Sequence, residues 1–284
     1  MNSMKINCEL PNTMLDHNNE LNEYDFVLFH LYKSNSTYRE YYKQQRMSHP
    51  DRLMILDNSA YEFYVKGEEL DLEEYKNTII DLQPDLYILP DVLMDHNKTL
   101  GLVDKFLTDY EFDIITDTNN KSQPLAVAQG NTSKELVHCL LEYYCMNIEN
   151  VAIPFHNSFF IEMGEQSFIN YSDTFLEVYK GNAINKDHKY ALGRVMFMNN
   201  NRDLLNNFKH VHLLGSHCPL EKIFYDEIGD TMDTGYPVKC GIVGYKLFEE
   251  PEKPDIIIDE FMDKDIDNIT KNLIINNIES FRYS

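Results

Sequence analysis

Short apolar, β-rich runs recur eight times along the chain, and most of them carry a polar or small residue at or near the end. Apolar character that is nearly continuous is typical of strands covered on both faces, as in parallel sheets. Segments with helical periodicity separate several of these runs, which implies βαβ units with right-handed crossovers. The sequence therefore predicts an α/β fold, and eight strands favour a (β/α)8 TIM-like barrel over the alternative, a doubly wound open sheet. The predicted strands are 4–10, 25–32, 53–59, 86–92, 124–130, 150–156, 210–216 and 230–235, and the clearest helices are 71–83, 97–110 and 132–147.

The chain is long enough for one such barrel with a short addition. A (β/α)8 barrel takes about 250 residues, and this chain has 284. We expect a catalytic barrel over 1–240 and a C-terminal extension over 241–284 that packs on the barrel. The chain does not begin with a basic and apolar signal peptide, no run reaches the length of a membrane span, and five scattered cysteines form no CxxC pair. These features predict a cytoplasmic protein with no membrane partner.

The acidic composition restricts how this chain could bind nucleic acid. Its formal net charge is −22 and its pI is near 4.7, so the global field opposes attraction to phosphate. A local basic surface is needed, and the segment 36–52 interleaves basic residues with tyrosines, which suits phosphate contact and base stacking. The alternative is an amphipathic helix with a solvated basic face. The predicted nucleic-acid contacts are Arg39, Lys43, Arg46 and Arg52, with Lys239 and Arg194 as additions.

Polar residues close the predicted strands, and the carboxyl ends of the strands form the active-site face of a parallel barrel. Any one of these residues alone is typical of a helix cap or a loop, but their recurrence at successive strand ends favours a site. Three carboxylates at one mouth could bind a metal, a sugar, or a base with N–H donors. His156 and His217 lack the i,i+4 spacing of a metal pair, and we predict neither a metal nor a cofactor. The strand-end residues are Asp57, Asn58, Asp91, Gln129, Gly130, His156, Gly215 and Asp233.

Five of these segments occur in the order, and with the character, of motifs in the tRNA-guanine transglycosylase superfamily. They read "LMILDNSAYE", "LPDVLMD", "AVAQG", "HLLGS" and "DTMDTGYPVK". The resemblance covers roughly residues 50–240 as short islands, and it is closer to the compact, phage-type members proposed to insert 7-deazaguanines into DNA. It implies a barrel enzyme that exchanges a base through a covalent aspartyl–sugar intermediate.

The resemblance also assigns the catalytic carboxylates. The family places its nucleophilic aspartate in the pattern Asp-x-x-Asp-x-x-x-Pro followed by a basic residue. Asp230, Asp233, Pro237 and Lys239 match this pattern, so Asp233 resembles the nucleophile and Asp230 is interpreted as structural. Asp57 matches the second catalytic aspartate, which acts as general acid and base.

Further positions match the base-binding residues of the family. Asp91 falls where a carboxylate reads the guanine edge, and Tyr61 falls where an aromatic ring stacks on the purine. Hydrogen bonds from an amide side chain and from backbone groups to the base are implied for four residues, namely Gln129, Gly130, Leu214 and Gly215.

Two departures from the family bear on the substrate. Ser59 and Ala60 stand where tRNA-acting members have Gly-Gly, and no cysteine cluster follows Cys240, so the zinc subdomain of those members is not expected. Because that subdomain supports tRNA binding, DNA is the preferred polymer, and a 7-deazaguanine free base is the expected second substrate. A phage-encoded chain would work in the host cytoplasm, and a homodimer is a further expectation.

Three alternatives stay open at this point. The first is the same exchange on tRNA, as in queuine tRNA-ribosyltransferases. The second is a non-catalytic partner that binds nucleic acid or a base. The third is an unrelated barrel hydrolase that uses the same carboxylates with water as acceptor.

Overall fold

A computed structural model describes residues 4–118, 121–155, 159–164, 186–216, 229–247, 254 and 256–283. Eight strands form one sheet in the order β1-β8-β7-β6-β5-β4-β3-β2, and the registers of the described strand pairs are parallel. The predicted fold class, an α/β (β/α)8 TIM-like barrel, is confirmed. Seven of the eight predicted apolar runs contain one of the strands, and the run 124–130 overlaps β5, which begins one residue earlier at Gln123.

The strands are three to five residues long. They are β1 (Lys5–Cys8), β2 (Asp25–Leu28), β3 (Met54–Asp57), β4 (Leu86–Ile88), β5 (Gln123–Val127), β6 (Asn150–Pro154), β7 (His210–Leu214) and β8 (Thr231–Thr234). Their helices are α1 (Asn18–Leu21), α2 (Phe29–Ser34), α3 (Ser36–Ser48), α4 (Ala60–Lys66), α5 (Leu72–Leu82), α6 (His96–Asp117), α7 (Ser133–Cys145), α8 (Lys186–Asn200), α9 (Arg202–Leu205), α10 (Tyr236–Ile242) and α11 (Asn268–Tyr283). Short 3-10 helices cover Asn12–His17 and Ile258–Glu260.

The strand predicted over 25–32 is half wrong, because α2 begins at Phe29. The reason is local hydrogen bonding. The Leu28 N–H donates to the Tyr38 hydroxyl, and the His30 N–H donates to Ser59 Oγ, so side chains take the backbone donors that a longer strand would use. The apolar residues after Leu28 are buried on a helix instead of a strand.

The chain divides into two compact units. The first unit comprises Tyr24–Ile153 and Asn207–His210, and it carries β2 to β5 with most of β6. Aromatic side chains fill much of its core. The ring of Tyr75 packs against Phe29 and Phe106, and its hydroxyl donates to the Ile88 carbonyl at 2.6 Å. This hydroxyl therefore ties α5 to a strand of the sheet while the ring stays fully buried.

The second unit comprises Met1–Glu23, Pro154–Asn206 and Val211–Ser284. Its C-terminal helix α11 packs on α10 so closely that a Cβ on Gly241 would lie 2.4 Å from Ile274 Cγ1. The buried Asn277 amide accepts from the Leu247 N–H and donates to two backbone carbonyls, which fixes the chain between the two helices. Residues on both sides of the expected boundary at 240 thus lie in one unit, and the boundary itself stays a prediction.

Candidate functional site

In the first unit, β3 ends on a turn that holds the carboxylate of Asp57. The Ser59 N–H donates to Asp57 Oδ2 at 2.8 Å, and the Ala60 N–H donates to Asn58 Oδ1 at 2.8 Å. These two nested turns are the usual way in which Asp and Asn side chains hydrogen-bond the backbone two residues on. Asp57 is buried at the carboxyl end of its strand, as the sequence predicts.

Ser59 adopts a left-handed backbone conformation, with φ of 60°. A residue with a Cβ pays about 1–3 kcal/mol for such a conformation, whereas glycine adopts it freely. The Ser59 hydroxyl offsets this cost because it accepts the His30 N–H at 3.1 Å and contacts His30 Nδ1 at 2.9 Å. Position 59 therefore requires a left-handed backbone, and this chain meets that requirement with a serine whose hydroxyl contacts His30.

Asp91 follows β4 and lies between two amide side chains of the same unit. Asn58 Nδ2 donates to Asp91 Oδ1 at 2.7 Å, and Gln129 Nε2 donates to Asp91 Oδ2 at 2.6 Å. The Met94 N–H donates to Gln129 Oε1 at 2.9 Å, which fixes the orientation of the Gln129 amide. Burial raises the pKa of Asp91, and the hydrogen bonds from the two amides and from the Asp91 backbone lower it by less. The structure thus brings Asp91, Gln129 and Asn58 together, and sequence analysis did not assign Asn58 to this contact.

The arrangement leaves Asp91 able to bind further donors. Each carboxylate oxygen can accept about two hydrogen bonds, and each Asp91 oxygen holds one amide here. A ligand edge with adjacent N–H groups could therefore be read by this side chain. Such a ligand would not have to displace Asn58 or Gln129.

Two other predicted base-binding residues lie on neighbouring elements. A Cβ on Gly130 would lie 2.6 Å from Glu135 Cβ, so glycine is required there for the close approach of the chain to α7. Tyr61 lies in the first turn of α4 with 54% of its surface exposed. A base contact by either residue stays a prediction.

In the second unit, β8 carries Asp233 with its side chain buried. Asp233 Oδ1 contacts His212 Nε2 at 3.0 Å and accepts the Gly215 N–H at 2.9 Å. The second ring nitrogen of His212, Nδ1, contacts Thr231 Oγ1 at 2.7 Å. Sequence analysis did not select His212. The signal that could have found it is the alternation of side chains between the two faces of a strand. A parallel register that pairs His212 with Thr231 directs residues 212, 231 and 233 to one face of the sheet.

One peptide group links Asp233 to a buried cation. The Leu214 carbonyl accepts from Arg194 Nη1 at 2.8 Å, while the N–H of the same peptide, from Gly215, donates to Asp233. Arg194 is fully buried and its guanidinium lies 5.0 Å from the centre of the Phe155 ring, so its interpretation as part of a basic surface is wrong. Base contacts by Leu214 and Gly215 stay predictions. The Gly215 N–H points at Asp233, which does not favour a hydrogen bond from this N–H to a base.

The other acid of the matched motif has a structural contact. The Val211 N–H donates to Asp230 Oδ2 at 2.8 Å, and the Asp230 N–H donates back to the Val211 carbonyl. Burial raises the pKa of Asp230, and the hydrogen bond from Val211 lowers it by less. These contacts join the amino end of β8 to β7, in line with the structural interpretation of Asp230.

The basic segment 36–52 forms α3 and the turn after it, and its cations bond within the first unit. Arg46 makes two hydrogen bonds of 3.0 Å with the Asp85 carboxylate, and Arg52 Nε donates to Asp25 at 3.1 Å. Asp25 begins β2 and Asp85 precedes β4, so these arginines lie at the amino ends of strands. Contacts of these arginines with nucleic acid stay predictions. Their position does not favour such contacts, because the predicted active-site face lies at the carboxyl ends of the strands. Lys43 pairs with Asp81, Arg39 donates to the carbonyls of Tyr32 and Lys33, and Lys239 lies on α10 after the Asp233 strand.

Metal and membrane sites are not found among the residues that the structure describes. Within that part of the chain, no group of three or more His, Cys, Asp or Glu side chains could hold a metal ion, and no helix is long and apolar enough to cross a membrane. His156 and His217 lie outside the described residues. A scan against protein-family models finds no match to this chain, and a search of curated proteins also finds none.

Proposed function

We propose that this protein exchanges guanine in a polynucleotide, preferentially DNA, for a 7-deazaguanine base through a covalent aspartyl–sugar intermediate. The observation that carries the proposal is the environment of Asp233, a buried carboxylate on β8 with two donors on one of its oxygens. Support also comes from Asp57 and Asp91, which follow or close strands in the order of the resembled motifs.

In the first half of the reaction, an Asp233 oxygen attacks C1′ of the target nucleotide. The bond from C1′ to N9 of guanine breaks, its electron pair leaves with the base, and Asp57 as general acid supplies the proton. The sugar passes through an oxocarbenium-like state that a carboxylate stabilises and then traps. The products of this half are free guanine and an ester between Asp233 and the sugar.

The second half runs in the opposite direction with a different base. Asp57, now the general base, takes the N9 proton of the incoming 7-deazaguanine. N9 attacks C1′, the bond from C1′ to the Asp233 oxygen breaks, and its electron pair returns to the carboxylate. Both aspartates end as they began, so the cycle needs no cofactor.

Asp91 supplies the selectivity for guanine-type bases. Such bases present a ring N–H and an exocyclic amino group side by side, whereas adenine does not offer this pair of donors. An acceptor-only carboxylate held by Asn58 and Gln129 is complementary to the pair. A buried polar group left without its ligand partner costs binding free energy, so a base without these donors is rejected.

The test offers DNA and tRNA side by side with labelled guanine or a labelled 7-deazaguanine. We expect label to enter DNA with the wild type. Asp233→Asn should abolish both the incorporation and any covalent adduct, and Asp57→Asn should abolish turnover. Asp230→Asn is the matched control, because an amide oxygen can still accept the Val211 N–H, and it should retain activity.

Each other outcome points to a specific alternative. Label in tRNA alone would make tRNA the substrate, and base release without incorporation would indicate a hydrolase. Binding without any turnover would favour the non-catalytic partner. An active Asp233→Asn variant would remove Asp233 from its role as nucleophile.

A further inference from the structure

We propose that His212 is the positioning residue of Asp233: it holds Oδ1 so that Oδ2 is the oxygen presented to the sugar. This inference rests on the proposed function and deepens it, because it names the group that orients the nucleophile. His212 is fully buried, and its Nε2 lies 3.0 Å from Asp233 Oδ1. The Gly215 N–H donates to the same oxygen, so the two contacts hold one side of the carboxylate.

The hydrogen bonds assign the ring tautomer. A carboxylate only accepts hydrogen bonds, so the contact with Asp233 requires a proton on His212 Nε2. Nδ1 of the neutral ring is then an acceptor, and the Thr231 hydroxyl, 2.7 Å away, donates to it. The Asp233 carboxylate therefore sets the tautomer, and the Thr231 hydroxyl supports it by donating to the remaining ring nitrogen.

The same contacts exclude His212 as the acid or base of the reaction. Both ring nitrogens already have protein partners, so neither faces a substrate. The general acid–base role stays with Asp57, and His212 acts through Asp233. The three side chains lie on paired strands and not on loops, and the register that places His212 beside Thr231 makes the orientation rigid.

This arrangement affects both halves of the exchange. When Oδ2 bonds to C1′, Oδ1 becomes the carbonyl oxygen of the ester and keeps its two donors. When the incoming base displaces the sugar, negative charge returns to the carboxylate, and the two N–H groups stabilise it as it forms. Loss of the imidazole donor should therefore slow turnover more than it weakens substrate binding.

Matched substitutions separate the donor from the bulk of the ring. His212→Leu removes the donor, and we expect kcat to fall about 100-fold with little change in KM, by analogy with the loss of one donor to a developing charge. His212→Gln keeps an N–H donor at a similar reach and should restore most of the lost kcat. Thr231→Val should lower kcat by a smaller factor, because the buried Nδ1 loses its hydrogen-bond donor and the ring is held less firmly, whereas Thr231→Ser should behave as wild type.

The outcomes distinguish this inference from the function beneath it. A wild type that exchanges no base contradicts the proposed function. A folded His212→Leu variant with the kcat of an active wild type, or a His212→Gln variant as slow as His212→Leu, overturns the role of His212. Circular dichroism melting curves establish which variants fold.

A second measurement does not depend on activity or on variants. The imidazole ¹⁵N resonances of the wild-type protein distinguish the two neutral tautomers. We expect His212 to carry its proton on Nε2. A neutral ring with the proton on Nδ1 would contradict the assignment whatever the kinetics show.

Discussion

At the scale of single residues, the carboxylates at the strand ends differ in the groups that hold them. Asp57 accepts a backbone N–H from its own turn, and Asp91 accepts two side-chain amides. Asp233 contacts an imidazole and accepts a backbone N–H. Each carboxylate is therefore oriented by partners of a different kind, and each is proposed for a different role.

The strained turn after Asp57 gives the first prediction. Ser59→Gly relieves the backbone strain but leaves the two buried His30 groups without their partner, at a cost of about 1–3 kcal/mol. Ser59→Ala loses the same contacts and keeps the strain. We expect Ser59→Ala to have a lower free energy of unfolding than both wild type and Ser59→Gly, measured by urea denaturation. Equal stability of wild type and Ser59→Ala would show that the hydroxyl contacts contribute nothing.

Asp91 gives a prediction about pH. Its pKa in the folded protein is raised above the ordinary value of 3.8, chiefly by burial. A carboxyl with a raised pKa binds its proton more tightly in the folded state, so it stabilises the fold as the pH falls through the raised pKa toward the ordinary one. Asp91→Asn lacks this proton. The unfolding free energy of wild type relative to Asp91→Asn should rise as the pH is lowered from neutral through this interval, and a difference independent of pH would contradict it.

At the scale of elements, the two ends of the strands carry acids with different tasks. Asp25, Asp85 and Asp230, at the amino ends, bond to arginines or to a neighbouring strand. The carboxyl ends carry the residues proposed for chemistry. Asp85 and Asp25 form ion pairs with Arg46 and Arg52 of α3 and the turn after it. The positive charge of these two arginines is therefore neutralised within the fold.

The pair of Arg46 and Asp85 tests this division. Arg46→Met should lower the unfolding free energy by about 1–3 kcal/mol, because it removes two hydrogen bonds between charged groups and leaves Asp85 with less compensation. It should leave the salt dependence of DNA binding unchanged. A phosphate contact by Arg46 would instead reduce the slope of log affinity against log salt by about one. Binding titrations at several salt concentrations measure that slope.

At the scale of the whole molecule, the excess of acidic over basic residues sets the response to salt. The net charge of −22 produces self-repulsion that opposes compact states, and added salt screens it. Contacts with phosphate weaken under the same change. We therefore expect the melting temperature to rise between about 20 and 200 mM NaCl, while affinity for DNA falls. A melting temperature that decreases over this range would contradict the prediction.

Much of the architecture was predictable because its signals are local. Apolar runs marked all eight strands, and the predicted helix 132–147 contains α7, whose start is capped by the Thr132 hydroxyl accepting the Glu135 N–H. The prediction was wrong at 29–32, where the side chains of Tyr38 and Ser59 end β2 early. It was also wrong about Arg194, since a charged side chain gives no local indication that it will be buried.

The amino-acid sequence by itself determined the alternation of strands and helices and the positions of Asp57, Asp91, Gln129 and Asp233 at or after strand ends, because periodicity and turn chemistry act over a few neighbouring residues. Only the tertiary structure decided which groups hold these side chains. His212 meets Asp233, Asn58 and Gln129 meet Asp91, and Arg46 meets Asp85 across 21 to 39 positions of chain. Such contacts depend on strand order and register, which arise from packing of the whole sheet and have no signature in any short segment.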